Sequence, residues 1–99
     1  MRRRAARVDA NHSEIVAGLR KMGCSVLSLH AVGDGCCDLL VGWRGVNLLV
    51  ECKDGSKSPS RRELTDDQIE FLTHWNGTAV VVKTLEEAME MMQVHTRER

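Results

Sequence analysis

The sequence predicts an α/β domain with a mixed central sheet flanked by helices, in the order α, three strands, α, β, α. Three observations carry this expectation. Residues 38–43 and 47–53 are two aliphatic runs joined by Arg44-Gly45-Val46, a connection short enough for a hairpin. Runs with so little polar alternation are usually covered on both faces, which predicts helices packed on a central sheet. Three further segments carry apolar residues at helical spacing, each opened by a helix-start signature.

Each element follows in turn. Residues 1–8 hold Arg2, Arg3, Arg4 and Arg7 and no acid, and are expected to be a flexible basic arm ahead of a single domain over 9–99. After Asn11, the residues Ile15, Val16, Leu19 and Met22 make an amphipathic helix that Gly23 stops, and Asn11 with Glu14 matches a capping box. Residues 24–30 form a short strand, which Val32-Gly33-Asp34-Gly35 ends with turn chemistry. The two aliphatic strands come next. Residues 54–63 contain Gly55, Pro59 and three serines and read as an exposed loop with a basic flank. Thr65-Asp66-Asp67-Gln68 is a second capping box, opening a helix with Ile69, Leu72 and Trp75 on one face, and Phe71 and Trp75 are expected in the core. Residues 78–83 are a β-branched strand, and Thr84 opens a last helix that buries Leu85, Ala88, Met89 and Met92.

Composition narrows the function classes. A chain of 99 residues suits one domain, and 42% apolar residues plus eight glycines is the ordinary globular value, which argues against disorder. Fourteen basic residues balance fourteen acidic ones, so any attraction for polyanions must come from a local patch. No aliphatic run approaches the roughly 18 to 20 residues that span a bilayer. The basic start is followed by Val8-Asp9-Ala10-Asn11-His12 instead of an apolar stretch, so the chain is expected to stay in the cytosol. Cys24, Cys36, Cys37 and Cys52 lack the paired spacing of a zinc site and read as reduced thiols, Cys24 and Cys52 as small buried hydrophobes. The four histidines, His12, His30, His74 and His95, lie at element ends and carry no signal of their own.

The chemistry concentrates where the aliphatic strands end. Glu51 and Lys53 are two apart on a strand and leave the same face, at the end of an otherwise apolar run. A symmetric hairpin sets Asp38 almost opposite Glu51. Two such carboxylates repel and raise one pKa unless one is protonated or a cation lies between them. Hard divalent ions are held by one or two carboxylates plus water and phosphate oxygens. The bland alternative is a strand-end ion pair of Lys53 with Glu51 or Asp38.

The stretch Gly35-Cys36-Cys37-Asp38-Leu39-Leu40-Val41-Gly42 followed by Leu48-Leu49-Val50-Glu51-Cys52-Lys53 resembles the Asp…Glu-x-Lys core of the PD-(D/E)xK nuclease superfamily. Within it, the chain more closely resembles small stand-alone VRR-NUC type endonucleases and Holliday junction resolvase-like proteins carried by phages. The likeness covers roughly residues 9–93 and includes Thr65-Asp66-Asp67-Gln68-Ile69-Glu70-Phe71. Cys37 departs from the pattern, because many relatives have proline before the aspartate; this alters turn rigidity and removes no ligand. The resemblance implies a restriction-endonuclease-like αβββαβ core and Mg²⁺-dependent hydrolysis of DNA phosphodiesters, with Mn²⁺ able to substitute and no organic cofactor. Asp38, Glu51 and the Cys52 backbone carbonyl would hold the metal, and Lys53 would be the catalytic lysine. Glu14 matches an acidic residue that many members bring to the metal, with the capping box as its other reading. Gln68 matches a glutamine facing the active site, with the Thr65 cap as its other reading.

For DNA, Lys57, Arg61 and Arg62 join Lys53 in a loop of net charge plus three, and Arg4 and Arg7 in the arm would reach a second phosphate track; a solvated surface is the alternative for both. With few aromatic residues, duplex or branched DNA suits the chain better than a single-strand stacking platform. Symmetric junction cutting implies a homodimer, for which Met89, Met91 and Met92 are a candidate surface. The location implied is the cytoplasm of a bacterium or phage-infected cell. Two other readings stand beside the nuclease: a non-catalytic nucleic-acid- or partner-binding protein on the same fold, and a zinc- or redox-linked protein using Cys24, Cys36 and Cys37.

Overall fold

A computed structural model of the chain describes residues 11–54 and 64–97. The predicted arm residues Arg4 and Arg7 and the loop residues Lys57, Arg61 and Arg62 lie outside the described residues. Among those described, the elements are α1 (His12–Met22), β1 (Ser25–Ser28), β2 (Leu39–Trp43), β3 (Val46–Cys52), α2 (Asp66–His74), β4 (Ala79–Val82) and α3 (Leu85–Thr96). This is the predicted order. The four strands form one mixed sheet in the order β1-β2-β3-β4, antiparallel except for the parallel β3–β4 pair. No helix among the described residues is long and apolar enough to cross a membrane.

The β2–β3 connection is tighter than the sequence suggests. Trp43 pairs with Val46 directly, leaving a two-residue turn in which Arg44 and Gly45 both have positive φ, 52° and 80°. Turns of this hand match the twist of the flanking strands. Arg44 adopts the strained conformation with its guanidinium 4.2 Å from the centre of the Trp43 ring.

Strand alternation then sorts the apolar residues into two faces. Val26, Leu39, Val41, Leu48, Val50, Cys52 and Val82 form the core with Ile15 and Leu19 of α1 and Ala88 and Met92 of α3. Gly18 allows the close approach of α1 and α3, since a Cβ there would strike the Leu85 side chain. Met89 and Met91 also pack against this core, so the methionines proposed for a dimer surface serve the interior.

The second face carries the register row Leu27, Leu40, Leu49 and Ala79 and is covered less than predicted. Leu27 is 61% exposed and Val81 39%. α2 buries none of its own residues. The expectation that Trp75 belongs to the core is corrected here. Trp75 is 46% exposed and stacks on half-buried Phe71 at 5.3 Å, so the two rings shelter each other along the helix. Helical periodicity identifies an apolar stripe but not the depth to which a neighbour covers it.

Candidate active site

The β2–β3 register fixes the first pair of charges. Leu39 pairs with Val50, and one residue further along the same register Asp38 faces Glu51. There the ladder stops, and the Asp38 side chain takes over as acceptor: its Oδ2 receives the Cys52 N–H at 2.8 Å. The Asp38 carbonyl in turn accepts from Leu29 N at 2.7 Å, tying it to the segment after β1.

On the other side of β3, Leu49 N donates to Thr78 O and Lys53 N to Val82 O at 2.8 Å. Since backbone groups alternate along a strand, these bonds leave the N–H and C=O of Cys52 directed to the β2 side, where Asp38 lies. Lys53 shares the Glu51 face, as the two-residue period requires, and its Nζ is 3.5 Å from Glu51 Oε2. Both are buried, Glu51 with 2% and Lys53 with 9% exposure. Such a pair is tolerated only when hydrogen bonds and opposite charge replace lost water.

Gln68 supplies one of those bonds. Its Nε2 donates to Glu51 Oε2 at 2.8 Å, while its Oε1 accepts from Thr65 N at 3.0 Å and its own N–H donates to Thr65 Oγ1 at 3.2 Å. The capping-box and site readings are therefore both true of one side chain, because a primary amide has an acceptor end and a donor end. The first turn of α2 is held in place by the 33–35 turn. Gly35 has φ of 77°, and a Cβ on it would run into the Asp67 carbonyl.

The start of α1 differs from the sequence reading. Asn11 makes no side-chain cap; its Nδ2 donates instead to Lys53 O at 3.3 Å and Lys83 O at 2.7 Å, clasping the ends of β3 and β4. The Asn11–Glu14 capping box is thus absent, since a tertiary contact outbids the local one. Glu14 is exposed and lines a depression with Asn11, Asp54, Lys83 and Leu85. Among the described residues its side chain makes no hydrogen bond or ion pair, and no group of three or more acidic, histidine or cysteine side chains is assembled for a metal. Asp38, Glu51, Lys53 and Gln68 come together; Glu14 does not join them through any such contact.

Two residues here escaped the sequence reading. His12 and His30 are half-buried, and both lie close enough to Asp38 to favour its charged form. Burial is the stronger influence and holds the Asp38 carboxyl above its ordinary value; the Cys52 N–H, His12, Lys53 and His30 oppose it in that order. Cys37 reports the same negative field from within: burial, then the charges of Glu51, Cys36 and Asp38, push its thiol up to about 12. No protein-family model matches the chain, and neither does any curated protein or solved structure. A depression along Asp34, Asp67, Glu70, Phe71 and Trp75 includes none of the four gathered residues.

Proposed function

We propose that this chain is a metal-dependent DNA endonuclease of the PD-(D/E)xK type, selective for branched or junction DNA and acting in the cytoplasm as a homodimer. The observation that carries the reading is a buried carboxylate, Glu51, fastened by Gln68 and Lys53 and facing Asp38 across the hairpin. A strand-end ion pair alone would not call for a second carboxylate opposite it or for a helix-borne amide trained on the same oxygen.

The donor set fits a hard divalent cation. Asp38, Glu51 and the Cys52 carbonyl offer only oxygen, at one end of the hairpin, and the residual repulsion of two carboxylates is relieved by positive charge. Mg²⁺ or Mn²⁺, when bound, supplies Lewis acidity toward the phosphodiester and acidifies water. The protein's own groups do the rest. The Cys52 N–H fixes one oxygen of Asp38, and Gln68 fixes one of Glu51, so neither carboxylate must reorganise when substrate arrives. Lys53 Nζ would hold a water for attack on phosphorus and offset the charge that builds on the phosphate; as the new P–O bond forms the P–O3′ bond breaks, leaving a 5′-phosphate and a 3′ oxygen that takes a proton from solvent to become the hydroxyl.

The test is incubation of purified protein with labelled four-way junction, flap, duplex and single-stranded DNA, in Mg²⁺, Mn²⁺ or chelator, beside Lys53→Ala. Metal-dependent cutting that the variant lacks supports the reading and ranks the substrates. Binding without cutting in either metal overturns it in favour of a non-catalytic binder.

A further inference from the structure

A groove of about 390 Å³ runs along α1, from His12 at its start to Arg20 in its last turn, beside strand β1, floored by Val26 and Leu39 and rimmed by His12, Ser13, Arg20 and Ser28. Among the described residues no carboxylate lines it. Its polar rim is made of donors: a guanidinium, an imidazole and two hydroxyls. Arg20 is exposed and has no acidic partner among the described residues, yet it is not loose, because its Nη2 donates to Val26 O at 3.1 Å. One N–H of the fork pins it to β1 and leaves the others for a ligand. His12 adds a second signal. Its Nε2 is buried and has no hydrogen-bond partner among the described residues, a situation that native structures avoid unless another molecule completes it.

The groove adjoins the candidate active site. Leu39 in its floor follows Asp38 in the chain, and His12 on its rim is one of the residues acting on the Asp38 charge. A cavity that gathers a fixed cation and several neutral donors, has no acid among its described lining residues, and opens beside the proposed phosphodiester-cutting centre suits an oxyanion with several acceptor oxygens.

We propose that the α1–β1 groove is a phosphate subsite, in which Arg20, Ser13 and His12 seat a backbone phosphate of the nucleic acid next to the one being cut. This rests on the nuclease reading and extends it. The track entering the site follows α1, and contact is made by residues other than the basic loop. Arg20 supplies charge and a bidentate fork, Ser13 a hydroxyl donor, and His12 the nitrogen left without a partner.

The experiment measures duplex and four-way-junction binding by fluorescence anisotropy in chelator, across a salt series, for the parent, Arg20→Gln, His12→Gln and Ser13→Ala. Thermal melts confirm that each variant is folded; Arg20 and Ser13 are exposed, so their substitution leaves the core intact. The expected result for Arg20→Gln is about tenfold weaker binding at low salt. Its salt slope should fall by about one, the signature of one lost phosphate contact. Parent affinity and slope in all three variants overturn the subsite even if the parent cuts DNA, which leaves the nuclease reading standing.

A second arm titrates inorganic phosphate while following the His12 and Ser13 amide resonances. If the parent binds no DNA, the nuclease reading fails. In that case, shifts in the parent that Arg20→Gln abolishes uphold a phosphate site for a free ligand, and unmoved resonances overturn it.

Discussion

The double duty of Gln68 can be resolved into its parts by comparing Gln68→Ala with Thr65→Ala. Thr65→Ala removes only the hydroxyl that accepts the Gln68 N–H, a cap contribution of about 1 kcal/mol. Gln68→Ala removes the acceptor for Thr65 N, another neutral bond of about 1 kcal/mol, and the donor to Glu51. Hydrogen bonds to charged groups contribute about 1.5–3 kcal/mol, and the lower end applies because Lys53 still faces Glu51. The expected total is about 2.5 kcal/mol, so Gln68→Ala should exceed Thr65→Ala by about 1.5 kcal/mol.

Equilibrium urea unfolding reads this difference. With a slope of about 1–3 kcal/mol per molar urea for a chain of this size, the excess lowers the midpoint by roughly 0.5–1.5 M beyond the Thr65→Ala value. Gln68→Glu supplies the electrostatic control. It keeps an acceptor for Thr65 N but sets a second carboxylate against Glu51, raising the folded-state pKa of the pair above the unfolded one. Groups raised in this way favour the folded state below the unfolded pKa, and that support is lost as pH rises through the folded pKa. The Gln68→Glu deficit should therefore be small near pH 4 and full near pH 8. Equal losses for Gln68→Ala and Thr65→Ala would refute the reasoning, and Gln68 would then be a helix cap and nothing more.

Three other predictions test the surroundings of the site. Asp38→Asn keeps an acceptor for the Cys52 N–H while removing a charge whose pKa burial raises; stability from that charge falls as pH rises through the folded pKa, so the variant should melt at or above the parent temperature at pH 7 and show no cleavage. A melting temperature lower by more than about 5 °C would contradict it. Gly35→Ala places a Cβ against the Asp67 carbonyl at a positive φ and should cost at least about 2 kcal/mol in urea unfolding; a loss within about 0.5 kcal/mol would show that the 33–35 turn does not hold α2. Cys37, 1% exposed and with its thiol near 12, is about one part in ten thousand thiolate at pH 8 and should resist a disulfide reagent that modifies Cys36 in the native protein. Peptide mapping showing equal modification of the two would overturn the buried placement.

What the sequence makes legible is governed by local rules. The apolar runs and helical spacings, the glycine turn and the two threonine caps specify all seven elements and bring Asp38 and Glu51 to the same end of one hairpin. The shorter turn at Arg44-Gly45 shifts the register by one residue from a hairpin centred on Gly45, and this brings Asp38 from almost opposite Glu51 to directly opposite it. The part that could not be read is tertiary. Asn11 and Glu14 have cap spacing, but Asn11 is claimed by carbonyls 42 and 72 residues away, and nothing local announces that. His12 and His30 reach Asp38 only because α1 and the end of β1 converge on the start of β2. The exposure of α2 is a matter of what lies across from it, which periodicity does not encode.

The same convergence explains why so apolar a strand can end in charge. Glu51, Lys53 and Asp54 are all buried at the carboxyl end of β3, a position that would destabilise the sheet if each were left to itself. Each tether comes from a different element: Asn11 before α1 holds the Lys53 carbonyl, Asp38 before β2 holds the Cys52 N–H, Gln68 of α2 holds the Glu51 carboxylate, and Val82 of β4 holds the Lys53 N–H. Four elements thus specify three consecutive residues, so the geometry at Glu51 to Lys53 is fixed by the fold before any ligand binds. A site organised in this way loses reactivity through small displacements that stability barely registers. Substitutions in the tethers should accordingly lower activity by larger factors than their unfolding free energies suggest.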